Sequence, residues 1–439
     1  MLTALLFLVF FLLIFINLPV AFALGIAAVI VLLLDSGWSS LALLPSIMYS
    51  SISSFTLLAI PFFVLAGVIM GYSGISKRLI DLAYLAFGHR KNGIVIVAIV
   101  AAFFFSAISG SGPATVAAMG AILIPALVQN GFKKNSASAL VASSGSLGII
   151  LPPSIAFIVF AVIASDFISI SISRLFIAGI IPGILLATGL LIASIYVSKR
   201  TRATQSKEEV AAAVEKAPLL DVLRAFLNAL PGLLIPVIIL GGIYSGIFTP
   251  TEAAVIAVFY ALIVGLAFYR ELSVKDIPKI LIDASVQSAV IMFIVGVASL
   301  FSYIIATQQI AATITQAVLT VTSNPLLLML LVAVILLLVG AFIDAISAFY
   351  IFIPLLMPIL LEVGIDPTTI GVMMTVSLAI GLFTPPVGLN LFVASGISGV
   401  SSEQIVKGVA PFLIASLVVL LIVMYVPAVS NWLPDLLGM

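Results

Sequence analysis

The chain has 439 residues, of which 64% are hydrophobic and 8% are charged, and its formal net charge is +1. A soluble domain carries about 25% charged residues. This chain has too few charged residues to form a water-exposed surface, so most of its surface must face lipid. The sequence contains no cysteine, which excludes disulfides and thiolate metal sites, and its one histidine, His89, lies beside Arg90 and Lys91 as a solvated loop residue would.

The sequence of the first half predicts a series of apolar segments, in which full membrane spans alternate with shorter or interrupted segments. Met1 to Ile16 has no basic residue before it, so we expect a retained first membrane helix and not a secretory signal. An amphipathic arm is predicted at 75–88. The other segments are spans at 2–16, 20–34 and 41–72, short pieces at 92–107 and 113–130, a broken span at 136–164 and a last span at 174–198.

Charged residues crowd into 199–217, and this composition predicts a solvated linker near the centre of the chain. The second half then repeats the order of the first. Its segments are spans at 219–248, 251–269 and 277–305, an amphipathic arm at 306–323, short pieces at 326–341 and 346–363, a broken span at 368–395 and a last span at 408–427.

A constant offset of 233 residues relates the two halves at Gly and Pro positions, where backbone geometry is constrained. The offset takes Pro125 to Pro358, Gly131 to Gly364, Gly148 to Gly381 and the pair 152–153 to the pair 385–386. The sequence therefore predicts two repeats. The first, 1–198, has a scaffold (1–73), the arm, a transport hairpin with a broken helix (92–164) and a last span. The second, 218–439, has a scaffold (219–305), the arm, a transport hairpin with a broken helix (326–395) and a last span.

The basic residues indicate how the segments cross the membrane. Each half is assigned about five full crossings and one re-entrant hairpin made from its two short pieces. With the central linker in the cytoplasm, Arg174 alone among the 17 Lys and Arg then lies outside. An odd number of crossings inverts the second half, so the hairpins enter from opposite faces. The predicted fold is an all-α polytopic membrane protein of two inverted repeats, each with a hairpin and a helix broken at Pro-Pro.

Irregular backbone at membrane depth survives only where protein buries it or where it lines a wet cavity. Such backbone is predicted at the two hairpin tips and the two Pro-Pro breaks. In the first half, hydroxyls and freed carbonyls offer hard oxygen ligands for a cation, and we expect the tip to meet the break. The candidates are Ser109, Gly110, Ser111 and Thr115 at the tip and Gly148 and Pro152 at the break. Ser154 follows the break, where it would cap the second half-helix.

The second tip carries Asp344, which the span assignment makes the only acid deep within the membrane. An intramembrane carboxylate is costly and points to function, here as a cation ligand, a proton carrier or a helix cap. Ser347 follows it closely. The second break offers Gly381, Thr384, Pro385, Gly388 and Asn390, of which the Asn390 amide suits a substrate hydroxyl or carboxylate.

The remaining polar residues indicate what the chain does not do. Glu252 and Asp366 stand at predicted helix starts, where the helix dipole favours an acid. The sequence has no phosphate-binding loop and no nucleophile–base pair, which argues against ATP hydrolysis and other enzymatic chemistry, and nothing in it favours nucleic acid binding. No Lys or Arg lies deep in the predicted membrane region, so half-helix N-termini, hydroxyls, amides and co-bound cations would meet an anionic substrate.

The motifs at 109–115, 148–154 and 381–388 resemble those of the large membrane subunit of tripartite ATP-independent periplasmic (TRAP) transporters, over nearly the whole length. The resemblance implies a sodium-driven, elevator-type importer of the bacterial inner membrane, with no cofactor beyond the coupling Na⁺. It implies a soluble periplasmic binding protein and a small four-helix membrane subunit, here a separate chain because no such segment is fused at the N-terminus. The implied substrate is an organic acid such as a C4-dicarboxylate or sialic acid.

The resemblance also implies two sodium sites, one at the first tip and break and one at the Asp344 region with 384–388. We expect the substrate between them, with candidate contacts at Ser111, Ser154, Asp344, Ser347 and Asn390. A stand-alone sodium-dependent dicarboxylate or citrate symporter of the same architecture is the alternative, which would not depend on a binding protein. A channel or membrane scaffold is a third class, which saturable sodium-driven uptake would exclude.

Overall fold

The long apolar runs of the chain fold into α-helices, because a backbone in lipid must satisfy its hydrogen bonds within its own segment. The computed structural model describes residues 2–16, 18–90, 92–202 and 217–439, and in these ranges it contains helices and connecting turns but no strand. Lys91 and most of the predicted linker, 203–216, lie outside the described residues. The first part of the linker is helical, because the preceding helix continues to Arg202.

The first half of the chain forms eleven α-helices, all within the described ranges. They are α1 Leu2–Phe15, α2 Val20–Ser36, α3 Leu43–Ile52, α4 Ala59–Tyr72, α5 Ile75–Phe87, α6 Gly93–Ser109, α7 Gly112–Gln129, α8 Lys134–Ser144, α9 Leu147–Ile150, α10 Ile155–Ala164 and α11 Ile172–Arg202. Short 3₁₀ turns, Trp38–Ala42 and Phe55–Leu58, precede α3 and α4.

The second half forms ten more α-helices within the described ranges. They are α12 Leu219–Tyr244, α13 Pro250–Ile263, α14 Ile277–Thr307, α15 Ile310–Val321, α16 Pro325–Gly340, α17 Ala345–Glu362, α18 Pro367–Gly381, α19 Leu389–Ser398, α20 Ser402–Tyr425 and α21 Ala428–Leu436. A π-helical turn, Val264–Tyr269, extends α13, and a 3₁₀ turn, Val274–Asp276, precedes α14.

The structure differs from the predicted segments in two places. The single span expected at 41–72 is two helices, α3 and α4, which are separated near Ser53 and Ser54 by a 3₁₀ turn. The hydroxyl of Ser53 donates to the carbonyl of Ser50, so it bonds the end of its own helix, as serines do where helices stop. The last span is followed by a further helix, α21, which the sequence did not predict because it is short and holds Pro434.

The helix lengths agree with the prediction of a polytopic membrane protein. In the described ranges, eight helices are long and apolar enough to cross a membrane, or nine if the pair α8–α10, bent by 45° at its break, is one span. Large apolar side chains of α12, among them Leu223, Leu227 and Val237, are exposed on the surface of the chain. Lipid is the environment that tolerates such a surface, and the protein is therefore a multi-pass membrane protein.

The broken helices lie at the centre of the fold. Residues 368–381 of α18 are all buried, and α18 packs against α16 and α20. The rings of Phe160 in α10 and Phe349 in α17 meet edge to face with centroids 5.7 Å apart. A Cβ on Gly381 would lie 2.7 Å from the Cα of Gly340, so glycine at this crossing allows α16 and α18 to approach closely.

The outgoing helices of the two hairpins have corresponding bounds in the two halves. Helix α7, Gly112–Gln129, and helix α17, Ala345–Glu362, are separated by 233 residues at both ends. Lys134 and Pro367, which begin α8 and α18, are separated by the same number. The helix bounds thus follow the offset found at the Gly and Pro positions.

Candidate functional site

A cavity of about 890 Å³ lies between the two hairpin tips and the helices α4 and α14. Residues 109–114 of the first tip and 344–346 of the second tip both line it. Cavities of about 300–1,000 Å³ are typical of small-molecule sites. The structure therefore brings the two predicted tips to one site of a size that suits a small organic ligand.

The first tip is closed by its own hydroxyl groups. Gly110 ends α6 with a φ of +61°, a left-handed conformation that glycine adopts without strain. The Ser109 Oγ and Thr115 Oγ1 atoms are 2.6 Å apart, and Thr115 Oγ1 donates to the carbonyl of Ser111 at 2.8 Å. Three oxygen atoms of the kind that bind hard cations are thus gathered within one turn of backbone.

The first tip contacts the first break, as the sequence predicted. A Cβ on Gly148 would lie 2.6 Å from both the Ser111 carbonyl oxygen and Thr115 Oγ1, and a Cβ on Gly110 would lie 2.8 Å from the carbonyl oxygen of Pro153. The Pro152–Pro153 bond in this break is cis. Glycine is therefore required for the close approach of tip and break.

Ser154 is fully buried and lies outside the cavity wall. Its hydroxyl accepts from the backbone N–H of Phe157 at 3.4 Å and donates to the carbonyl of Ile149. The side chain thus caps α10 and spans the break, while its neighbours Ile155 and Ala156 line the cavity.

Asp344 caps the outgoing helix of the second hairpin. Its Oδ1 atom accepts from the backbone N–H groups of Ile346 at 2.9 Å and Ser347 at 3.0 Å, and its Oδ2 atom accepts from the Ser347 hydroxyl at 2.6 Å. Asp344 lines the cavity, whereas Ser347 is fully buried. The helix-cap role that the sequence allowed is thus present, and it places a carboxylate at the cavity wall.

The second break is bonded to the second tip. The N–H of Gly388, which has a φ of +60°, donates to the carbonyl of Ala341 at 2.8 Å. Thr384 Oγ1 donates to the carbonyl of Ile380 at 2.8 Å, so this hydroxyl serves its own helix end. The Pro385–Pro386 bond is cis. Each tip therefore packs with the break of its own half.

Asn390 lies behind the first tip and not on the cavity wall. The side chain is fully buried, and its Nδ2 atom donates to the carbonyl of Ala142 in α8 at 3.1 Å. Its Oδ1 atom has no hydrogen-bond partner in the described part of the chain. A Cβ on Gly112 would lie 3.1 Å from that oxygen, so Asn390 connects the second break to both the broken helix and the tip of the first half.

Sequence reasoning missed the polar residues on the opposite wall. Tyr72 of α4 and Asp283 and Gln287 of α14 line the same cavity as the tips. The Tyr72 hydroxyl donates to Asp283 Oδ2 at 2.8 Å. Asp344 is not the only acid on the cavity wall, because Asp283 lies in a candidate span and lines the same cavity. Asp283 and Gln287 are four residues apart in an apolar helix, and this spacing could have predicted a polar face on α14.

Solved structures of two transporters share the fold. The YdaH transporter of Alcanivorax borkumensis superposes with a TM-score of 0.64 at 16% sequence identity, covering 92% of this chain and 91% of that one. MtrF of Neisseria gonorrhoeae gives a TM-score of 0.58 at 17% identity, covering 89% and 85%. At such identities the likeness concerns the fold alone.

Curated relatives are similar over nearly the whole of this chain. The isethionate TRAP transporter permease DctMQ of Oleidesulfovibrio alaskensis is 42% identical over 94% of this chain, which spans 63% of that protein. The C4-dicarboxylate TRAP transporter large permease DctM of Pseudomonas aeruginosa is 40% identical over 95% of both chains. The sialic acid TRAP transporter permease SiaT of Haemophilus influenzae is 33% identical over 98% of this chain and 68% of its own length.

The family match accounts for the motifs, the fold and the relatives together. Residues 7–429 match the family described as the tripartite ATP-independent periplasmic transporter, DctM component. The chain belongs to this family, the large membrane permeases of TRAP transporters.

Proposed function

We propose that this chain is the translocating subunit of a sodium-coupled importer of an organic acid. Relatives in the family are named for isethionate, C4-dicarboxylates and sialic acid, all of which are organic anions. The observation that carries the proposal is that both hairpin tips line one cavity of a size for such a ligand. A site between two tips can hold a substrate and its coupling ions at once.

The chemistry of the wall supports an anionic substrate. Helix α7 begins at the first tip, where its N-terminus favours negative charge, whereas the N-terminus of α17 is already capped by the Asp344 carboxylate. Among the described residues that line the cavity, none is Lys or Arg. Co-bound cations would then supply the remaining positive charge, so cation coupling serves electrostatics as well as energy.

Sodium is proposed at the two pairs of tip and break. The first pair offers Ser109, Ser111 and Thr115 with the backbone near Gly148 and Pro152. The second pair offers the carboxylate of Asp344 at the tip and the backbone oxygens of residues 381–388 at the break. Hard oxygen ligands of this kind suit Na⁺ at breaks in membrane helices.

The wider assembly is part of the same proposal. The matched hairpin bounds support two inverted repeats whose hairpins and broken helices move as an elevator against a scaffold that includes α4 and α14. The protein would lie in the bacterial inner membrane with its central linker in the cytoplasm. Family membership supports a small membrane subunit and a periplasmic binding protein as partners.

The test is uptake into proteoliposomes that contain this chain and the small subunit. We expect saturable uptake of an organic acid that requires both an inward sodium gradient and the cognate binding protein. Uptake without the binding protein would favour a stand-alone symporter. Uptake that neither saturates nor responds to sodium would contradict the proposal.

A further inference from the structure

The wall of the cavity opposite the hairpin tips carries its own polar groups. Asp283 and Gln287 are four residues apart on α14, so they share one face of the helix. Beyond them the lining of α14 is apolar and consists of Val290, Ile291 and Ile294. The scaffold therefore presents a short polar patch, Asp283 with Gln287, to the same space that the tips enclose.

The carboxylate of Asp283 is free to accept further hydrogen bonds. Its Oδ2 atom accepts from the Tyr72 hydroxyl at 2.8 Å, while Oδ1 has no partner within the described residues. Asp344 differs, since both of its oxygens already accept bonds from the start of α17. The two acids of the cavity therefore present different surfaces: Asp344 is directed into its helix, and Asp283 is open to a ligand.

The cavity is consequently polarised. The N-terminus of α7 at the first tip favours the anionic end of a ligand, whereas the N-terminus of α17 is already capped by the Asp344 carboxylate. The open carboxylate on α14 repels negative charge and accepts hydrogen bonds. We infer that Asp283 selects, among organic acids, those whose far end is a hydrogen-bond donor such as a hydroxyl group, and disfavours those with a second carboxylate. This inference rests on the proposed function, because it names the substrate class of the same site.

Lys279 does not remove this polarity. It lies one turn before Asp283 on α14, and its Nζ atom is 5.5 Å from the centroid of the Tyr72 ring. The side chain is exposed and is not part of the cavity wall. No ion pair joins Lys279 to Asp283 in the described part of the chain, where the salt bridges involve Arg78, Arg174 and Arg224.

The natural absence of cysteine allows a direct binding test. Val290→Cys places one thiol on the cavity wall, and its rate of labelling by a small maleimide is measured in the complex with the small subunit at saturating sodium. The two probes are 4-hydroxybutyrate and succinate, which have the same chain length and differ only in whether the far end is a hydroxymethyl or a carboxylate group.

We expect 4-hydroxybutyrate to protect the thiol at about tenfold lower concentration than succinate, because a hydrogen bond to a carboxylate is gained in one case and charge repulsion arises in the other. Asp283→Asn and Asp283→Ser should each abolish this preference, whereas Asp283→Glu should retain it. Lys279→Gln, which removes a charge outside the cavity, is the matched control and should also retain it.

The outcomes separate the inference from the proposed function. Equal protection by the two acids with Asp283 intact, or an unchanged preference in both neutral variants, would overturn the inference and leave the transport site in place. Protection by neither acid in any variant would contradict both the site and the inference.

Discussion

The two hairpin tips place different residues at the same structural position. Ser111 precedes α7 and Asp344 precedes α17, and the two are separated by the same 233 residues as the helices that they precede. Both residues line the cavity at a helix N-terminus, where the dipole favours negative charge. One tip offers a neutral hydroxyl there and the other a carboxylate, so the proposed cation sites differ in charge.

Asp344→Ala tests the second cation site. We expect the sodium concentration for half-maximal uptake to rise about tenfold, because the variant lacks the charged oxygen ligand. The lost cap should also lower the free energy of unfolding by about 1 kcal/mol. The sodium dependence is measured by uptake into proteoliposomes, and the change in stability is measured by thermal unfolding.

Asp366→Ala is the matched control for this substitution. Asp366 also caps a helix, accepting from the N–H of Thr369 at 2.8 Å, but it does not line the cavity. Its removal should reduce stability at least as much, because Asp366 also accepts from Asn431 at 3.0 Å, while leaving the sodium dependence unchanged. An identical sodium dependence in the Asp344 variant would argue against the site.

At the level of elements, the breaks matter as surfaces against which the tips pack. Gly148 receives the first tip, and Gly388 is bonded to the second tip through the carbonyl of Ala341. Backbone groups that a break frees from helical hydrogen bonds are here covered by protein, as irregular segments in a membrane require. Each tip should therefore move together with its break, and the two should bind ions as one unit.

Gly148→Ala should damage this contact. The added methyl group would fall 2.6 Å from the Ser111 carbonyl oxygen, which is backbone and cannot easily move. We expect a loss of roughly 1–3 kcal/mol in the free energy of unfolding and a marked fall in transport rate. Gly396→Ala in α19 is the control, since a Cβ there meets nothing within 4 Å. Equal behaviour of the two variants would contradict the close contact of tip and break.

The C-terminal helix α21 is held by Arg174 and by Asn431, whose Nδ2 atom donates to Asp366 and Thr369 at 3.0 Å. Arg174 donates to Thr368 at 2.9 Å, to Asn431 at 3.1 Å and to Asp435 at 2.8 Å, and it thereby joins α11 and α18 to α21. The side chain is mostly buried. Since hydrogen bonds to a charged group are stronger than neutral ones, this contact should contribute to stability.

Arg174→Ala should lower the free energy of unfolding by about 1–3 kcal/mol, because several acceptors lose a charged donor. Arg224→Ala provides the comparison, as its exposed pair with Asp221 at 3.6 Å should contribute little. Thermal unfolding in nanodiscs measures both variants. Matching unfolding temperatures would show that the α21 contact is not stabilising.

The sequence predicted the elements better than their contacts. Glycine and proline mark the tips and breaks because they constrain the backbone locally, so these positions could be read from the chain. The burial of Asn390 against α8 and the place of Asp283 on the cavity wall depend on packing between distant segments. One sequence without its fold contains no direct signal for such long-range contacts.

At the scale of the whole molecule, the cavity has walls from two parts of the fold. The tips and breaks form one side, and the helices α4 and α14 form the other. In the proposed elevator the first side moves and the second stays, so a ligand would leave the scaffold wall during transport. Residues on that wall, Asp283 among them, would then act in only one of the end states.

Single cysteines test the proposed orientation of the whole chain. Val210→Cys lies in the predicted linker, and Leu437→Cys lies just beyond α21, near the contacts of Arg174. We expect an impermeant maleimide to label the first only from the cytoplasmic side and the second only from outside. Because the natural chain has no cysteine, any signal comes from the introduced thiol. Labelling of both from one side would overturn the topology.

The unequal charge of the two hairpins has an electrical consequence. Residues 92–130 contain no Asp, Glu, Lys or Arg, whereas the second hairpin carries Asp344 at its tip. A full elementary charge moved across the membrane changes free energy by about 2.3 kcal/mol per 100 mV. If the second hairpin moves without a cation, a potential that is negative inside drives its carboxylate outward and opposes the inward stroke. Bound sodium cancels that charge, so membrane voltage would act differently on the empty and the loaded protein.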